Sequence, residues 1–185
     1  MIVALYADGG VIASNPSAIG GTYAYRLIRD DGHTIGQGQV ITAIDMRGSV
    51  TNNQTEMLAL LVGLKQLPCD FKGTIYSDSM VTLGRVFDGW KWKNIPTWMH
   101  TLYQEQRKKF IHWEEIKHVL LSGHPTKKQL AAGVGKHGYP VSEHNVWCDE
   151  ACRLAGEAFM ETVGRNIPST PNHWIGEGGL VYASE

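Results

Sequence analysis

Cysteine is scarce in this chain. Cys69, Cys148 and Cys152 are its only three, an odd number with no CxxC pair. That argues against a disulfide framework and fits reduced thiols. Also missing is any apolar run approaching the roughly 20 residues needed to cross a bilayer. The first residues carry no basic leader and reach Asp8 too soon for a signal peptide, so a cytoplasmic location without membrane attachment is expected. Zinc is not expected either. His144, Cys148 and Cys152 fall one helical turn apart, but they lead into Ala155 and Phe159, the spacing of a packed stripe. Nor is there an excess of charge of one sign: 17 Lys and Arg meet 18 Asp and Glu, a net charge of −1. The total therefore does not advertise a nucleic-acid binder.

The 185 residues suit one domain with a tail, and we expect a folded unit over 1–163 and an irregular tail over 164–185. Within that unit the charges are uneven. Arg85, Lys91, Lys93, Arg107, Lys108, Lys109, Lys117, Lys127, Lys128 and Lys136 are opposed in the same region only by Asp88, Glu105, Glu114 and Glu115. Such a stretch is either a solvated helix face or a patch that tracks phosphates.

The first strand, residues 2–10, is an unbroken apolar run that stops at Asp8-Gly9-Gly10. Being apolar on both faces, it reads as a central strand. Residues 22–29 alternate, Asp30-Asp31-Gly32 is a turn, and 33–44 reads as the hairpin partner, so the first three strands form an antiparallel meander. Thr51-Asn52-Asn53-Gln54-Thr55-Glu56 runs into Met57, Leu60, Leu61, Leu64 and Leu67 at helical spacing. Asn53 is the expected N-cap, with Glu56 either closing a capping box or leaning toward the sheet. Residues 73–78 form a second strand that ends in an acid, Asp78. A helix precedes it, so it should lie parallel to the first strand and bring Asp78 beside Asp8 at the carboxyl edge of the sheet.

Residues 81–88 continue as a helix. In residues 89–96, Trp90, Lys91, Trp92 and Lys93 alternate aromatics with bases, which suits an exposed platform as well as packing. A helix over 97–109 and a last strand over 110–121 follow. Ser122-Gly123-His124 then opens a loop whose glycines, Gly133, Gly135 and Gly138, imply mobility. The closing helix starts near Ser142 and places Asn145 and Asp149 on one face.

Four acids, Asp8, Glu56, Asp78 and Asp149, would thus converge. Pairs at about 4 Å repel by roughly 4 kcal/mol at an effective dielectric of about 20, so the cluster must take up protons or bind cations. Hard oxygen ligands select Mg²⁺ or Mn²⁺, and two such ions can clamp a phosphodiester.

In this order the motifs resemble the type 1 ribonuclease H family. They are Tyr6-Ala7-Asp8-Gly9-Gly10 with Asn15-Pro16, the segment Thr51 to Glu56, Tyr76-Ser77-Asp78-Ser79, Gly123-His124, and Asn145-Val146-Trp147-Cys148-Asp149-Glu150. The resemblance covers about residues 1–159. It implies an α/β ribonuclease H-like fold: a five-stranded mixed sheet, antiparallel meander plus two parallel strands, flanked by helices. It also implies hydrolysis of the RNA strand of an RNA/DNA hybrid by a monomer holding two Mg²⁺ or Mn²⁺ ions on Asp8, Glu56, Asp78 and Asp149, with His124 assisting proton transfer or product release. Substrate contacts would come from Asn15, Thr51, Asn52 and Asn53, from Ser79 and Asn145, and from a basic protrusion carrying Lys91, Trp92 and Lys93. The loop from His124 to Asp149 is longer than usual in the family, which leaves His137 as the alternative to His124. Direct attachment to the last strand through Gly123 favours His124. Within the same fold a nuclease acting on DNA is the runner-up, and an inactive binding module is a reading of another class.

Overall fold

In the computed structural model, which describes residues 1–165 and 182–183, the element order is β1 (Ile2–Val11), β2 (Gly20–Arg29), β3 (Thr34–Thr42), α1 (Asn52–Gln66), β4 (Thr74–Ser77), α2 (Met80–Phe87), α3 (Thr97–Lys109), β5 (Lys117–Leu120), α4 (Lys127–Ala132), α5 (Glu143–Arg165) and β6 (Tyr182–Ala183). The sheet order is β5-β4-β1-β2-β3-β6. β1, β2 and β3 form the antiparallel meander, while β4 lies parallel to β1 and β5 parallel to β4. This is the expected five-stranded mixed sheet, and β6 extends it. Tyr182–Ala183 falls in the stretch expected to be irregular, yet it pairs with Gln37 and Gly38 on the edge of β3. The remaining tail residues, 166–181 and 184–185, lie outside the described residues. No helix among the described residues is long and apolar enough to cross a membrane.

Alternation along β1 divides the core between two layers. Leu5 and Ala7 join the larger cluster with α1, whereas Tyr6 joins Cys148, Ala151 and Cys152 of α5 on the opposite face. On α1, Met57, Leu60, Leu61 and Leu64 are fully buried, each contributing about 1.5–3 kcal/mol relative to exposure. The helix is buried well beyond one stripe, because α2 and α3 cover its outer side; Gln54, Thr55 and Glu56 are buried too.

Two expectations need correction. The N-cap of α1 is Thr51, not Asn53: Gln54 N donates to Thr51 Oγ1 (3.3 Å) and Thr51 N donates to Gln54 Oε1 (2.8 Å). With Gln54 closing the capping box, Glu56 is left free of that duty. The final strand is also shorter than residues 110–121. Phe110, Trp113 and Ile116 all bury, a spacing of three that a strand cannot place on one face. The chain instead makes a 3₁₀ turn at Trp113–Glu115 before β5.

Gly9 faces the first turn of α1. A Cβ there would stand 2.4 Å from both Glu56 N and Thr55 C, backbone atoms that cannot swing aside. Overpacking of this kind costs about 1–3 kcal/mol. We therefore expect Gly9→Ala to lower the melting temperature measurably in thermal denaturation. An unchanged melting temperature would mean that the helix shifts freely over the strand.

Candidate active site

The parallel register pairs Tyr6 with Tyr76. Carried two residues further, it sets Asp8 beside Asp78 on the same face of the sheet. Beneath them the Tyr6 and Tyr76 rings stack at 4.5 Å and 6°, a cross-strand pair that fixes this register. Gly9 admits the first turn of α1, and Glu56 comes in as the third acid. Asp8, Glu56 and Asp78 each offer an oxygen lying within 4.8 Å of the others.

Asp149 stands one step out. It is about half exposed and faces His124, whose Nδ1 is 3.5 Å from Asp149 Oδ2. Asn145, one turn earlier on α5, is buried and donates from Nδ2 to Asp78 Oδ2 (3.3 Å), while its Oδ1 has no partner. Gly123 closes the other side: a Cβ there would be 2.6 Å from Asp78 Oδ2. Asp78 is therefore gripped between the end of β5 and α5.

Burial is the first cause that raises all three acids above the ordinary carboxylate range. For Asp8 the charges of Asp78 and Asp149 add to it. For Glu56 the additions come from Asp8 and Asp78, and a hydrogen bond to Asp8 favours the protonated form. Asp78 is raised less sharply, because Asn145 and His124 both favour its charged form. At this spacing each ionised pair repels by roughly 3–4 kcal/mol at an effective dielectric of about 20. A divalent cation removes that repulsion. The donor set fits one: it is all hard oxygen, and Glu56 Oε2 is buried with no hydrogen-bond partner.

Around the acids, Asn52 Nδ2 lies 3.5 Å from Glu56 Oε1, and Asn15 Oδ1 accepts from Asn52 N (3.2 Å). Asn53 is exposed beside them. Thr51 and Ser79 serve as the N-caps of α1 and α2. In the 89–96 segment, Lys91 and Lys93 are exposed, but Trp92 is half-buried, donating from Nε1 to Arg85 O (3.1 Å) and packing on His100 and Tyr103. Trp90 in this segment and Trp98 just after it are exposed. Two members of the basic stretch are structural. Arg85 is buried and donates to the carbonyls of Lys91 and Lys93, and Lys109 Nζ donates to the carbonyls of Leu64, Lys65 and Leu67 at the end of α1. Sequence pattern could not separate these from solvated bases. Their one signal is the position of each next to a helix terminus.

A family model for RNase H matches residues 1–155. Among curated proteins the chain is similar to the ribonuclease H of Rippkaea orientalis, 31% identical over 64% of this chain and 66% of that one. It is also similar to the ribonuclease H of Thermoanaerobacter pseudethanolicus, 26% identical over 89% of this chain and 94% of that one. Among solved structures, the N-terminal RNase H domain of a Mycobacterium tuberculosis protein, studied as a fusion with maltose-binding protein, aligns with a TM-score of 0.57 at 20% identity, covering 87% of this chain and 99% of the other. RNase H1 of Halobacterium salinarum aligns with a TM-score of 0.50 at 20% identity, over 65% and 86% of the two chains.

The raised carboxyls fix the sign of a pH effect. A group whose folded pKa lies above its unfolded value stabilises fully below the unfolded range, near 4, and that contribution is lost as pH rises through the folded value. Asp78→Asn has no charge to lose there. In EDTA it should melt above the wild type, by a margin that widens as pH rises from about 4 toward 8. A variant melting well below the wild type at neutral pH would assign Asp78 to holding the fold.

Proposed function

The chain belongs to the RNase H family, and from that premise we propose that it is a metal-dependent endonuclease hydrolysing the RNA strand of RNA/DNA hybrids, leaving 5′-phosphate and 3′-hydroxyl ends. The observation that carries this reading is the convergence of Asp8, Glu56 and Asp78, the first two buried and the third half-buried, at the carboxyl edge of β1 and β4. Asp8, Glu56 and Asp78 would hold two Mg²⁺ or Mn²⁺ ions, with Asp149 completing the set on the His124 side. Bound there, the ions would activate water and stabilise the leaving oxygen of a phosphodiester.

The chain's own groups have separable tasks. Asn145 and Gly123 fix the Asp78 carboxylate, so the charge it presents is preorganised. His124 is largely exposed and lies against Asp149, so its ring can reach a substrate oxygen and hand on a proton. Asn15, Asn52, Asn53 and Thr51 form one polar ledge at the start of α1, suited to the minor groove, where 2′-hydroxyls distinguish RNA from DNA. Ser79 and Asn145 border the acids, and Lys91 and Lys93 offer their ammonium groups to the other strand, over a segment that Trp92 fastens to the core.

Labelled RNA/DNA hybrid, duplex DNA and duplex RNA, each with Mg²⁺, Mn²⁺ or EDTA, test the reading together. We expect cleavage of the hybrid's RNA strand alone, and none in EDTA. Cleavage that survives EDTA would sink the proposal, and equal rates on duplex DNA would move it to a DNA nuclease of the same fold. His124→Ala should lower the turnover number by about 10²- to 10⁴-fold while metal still raises the melting temperature. A larger loss with His137→Ala would transfer the proton-passing role to His137.

A further inference from the structure

Residues 125–142 contain Lys127, Lys128, Lys136 and His137 and no acidic residue, in a chain whose net charge is −1. The glycines there suggest mobility, but the segment is closely fastened. Thr126 and Gln129 form a capping box at the start of α4. Val134 bridges to Pro140, and Gly135 N donates to Tyr139 O (2.8 Å). Ser122, at the end of β5, binds the turn from within: its N donates to Pro140 O (2.9 Å) and its Oγ accepts from Lys136 N (3.0 Å). Gly135 comes so close that a Cβ would stand 2.3 Å from Ser122 Oγ. His137 and Gly138 follow in the left-handed region, with φ of 55° and 77°. For histidine that is an uncommon conformation, of the sort that persists where the surroundings enforce it.

This fastened turn stands over the active site. Lys136, His137 and Tyr139, all exposed, line an open groove of about 240 Å³ together with Asp78, Met80 and Gly123. His124 belongs to a separate hollow with Asn145 and Asp149. The groove thus has a carboxylate at one margin and, at the other, two aromatic rings with an ammonium that forms no ion pair among the described residues.

Resting on the RNase H reading, we propose that this groove is a nucleic-acid subsite that holds the strand being cut as it runs past Asp78. Lys136 takes a phosphate, and the Tyr139 hydroxyl and the His137 ring meet the adjoining phosphate and 2′-hydroxyl oxygens. The chemistry follows from the charges. Three acids at the sheet edge repel a polyanion, so a strand entering beside Asp78 needs a cation close by, and Lys136 has no acid of its own segment to occupy it. The bases of a paired strand are stacked within the duplex, so exposed polar groups such as the Tyr139 hydroxyl and the His137 ring nitrogens meet its backbone, which is read without regard to sequence. Because the turn is held by Ser122, binding does not have to order it.

The test is fluorescence anisotropy of a labelled hybrid with the full chain in EDTA across a salt series, alongside steady-state cleavage in Mg²⁺. Lys136→Glu should raise Kd and KM about tenfold or more and lower the log–log salt slope by about 1. Tyr139→Ala should raise Kd about 2- to 10-fold with little change in slope. Lys65→Glu, at the far end of α1, should match the wild type. Melting temperatures check that these surface variants fold. If the wild type binds and cuts the hybrid while Lys136→Glu and Tyr139→Ala behave like Lys65→Glu, the subsite is overturned and the RNase H reading stands. If the wild type cuts no hybrid, that reading fails and the subsite falls with it.

Discussion

The contact between Gly9 and the first turn of α1 decides how close a helix can come to the end of a central strand. Everything at the active site depends on that approach. Asp8 and Asp78 are placed by parallel strand register, which the sheet would supply anyway, but Glu56 reaches them only because β1 has no side chain at position 9. The same closeness buries Asp8 and Glu56, half-buries Asp78 and makes their charge costly. A fold that needed only stability would not keep this arrangement. It stores electrostatic repulsion that a bound cation would release, and the rigidity of β1, β4 and α1 holds these like charges together.

Two layers then divide the work around the sheet edge. The α1 side supplies the bulk of the hydrophobic core, together with α2 and α3. The α5 side is thinner, resting on Tyr6, Cys148, Ala151 and Cys152, and it delivers Asn145 and Asp149 from consecutive turns of a single helix. One of those residues is buried and fixed against Asp78, while the other is exposed and shared with His124. The side chain fixed against Asp78 and the one that faces His124 are thereby separated by one helical turn.

The acids were legible in the sequence because each terminates an unmistakable pattern: two apolar strands ending in carboxylates, and an apolar helical stripe preceded by polar capping residues. The meander and parallel strands followed from the same patterns. What escaped was decided by contacts distant in sequence. Asn53 and Glu56 satisfy the spacing of a capping box, but Thr51 and Gln54 satisfy it equally well, and only the burial of Glu56 beside Asp8 breaks the tie. Phe110 looked like the start of a strand until its partners proved to be Trp113 and Ile116. Arg85 and Lys109 read as surface charge, yet both bind carbonyl groups. Glycines in 125–142 suggested a loose loop, and the ties from Ser122 were not visible without the fold. The pairing of Tyr182–Ala183 on β3 rests on two residues, too few to carry any periodic signal.

Arg85 holds the carbonyls of Lys91 and Lys93 while the lysine side chains themselves are exposed, and Gln54 Nε2 donates to the carbonyl of Asn94 (2.8 Å). The backbone of this protrusion is therefore already ordered before any ligand arrives. A phosphate gripped by Lys91 or Lys93 would restrict side-chain rotamers alone, at about 0.5–1.5 kcal/mol for each long side chain, without the further loss of ordering the main chain beneath them. Association at this surface should then proceed at a rate set by diffusion and charge, not by waiting for a loop to assume its shape. Arg85, buried beneath the two lysines, is the residue that keeps their main chain in place.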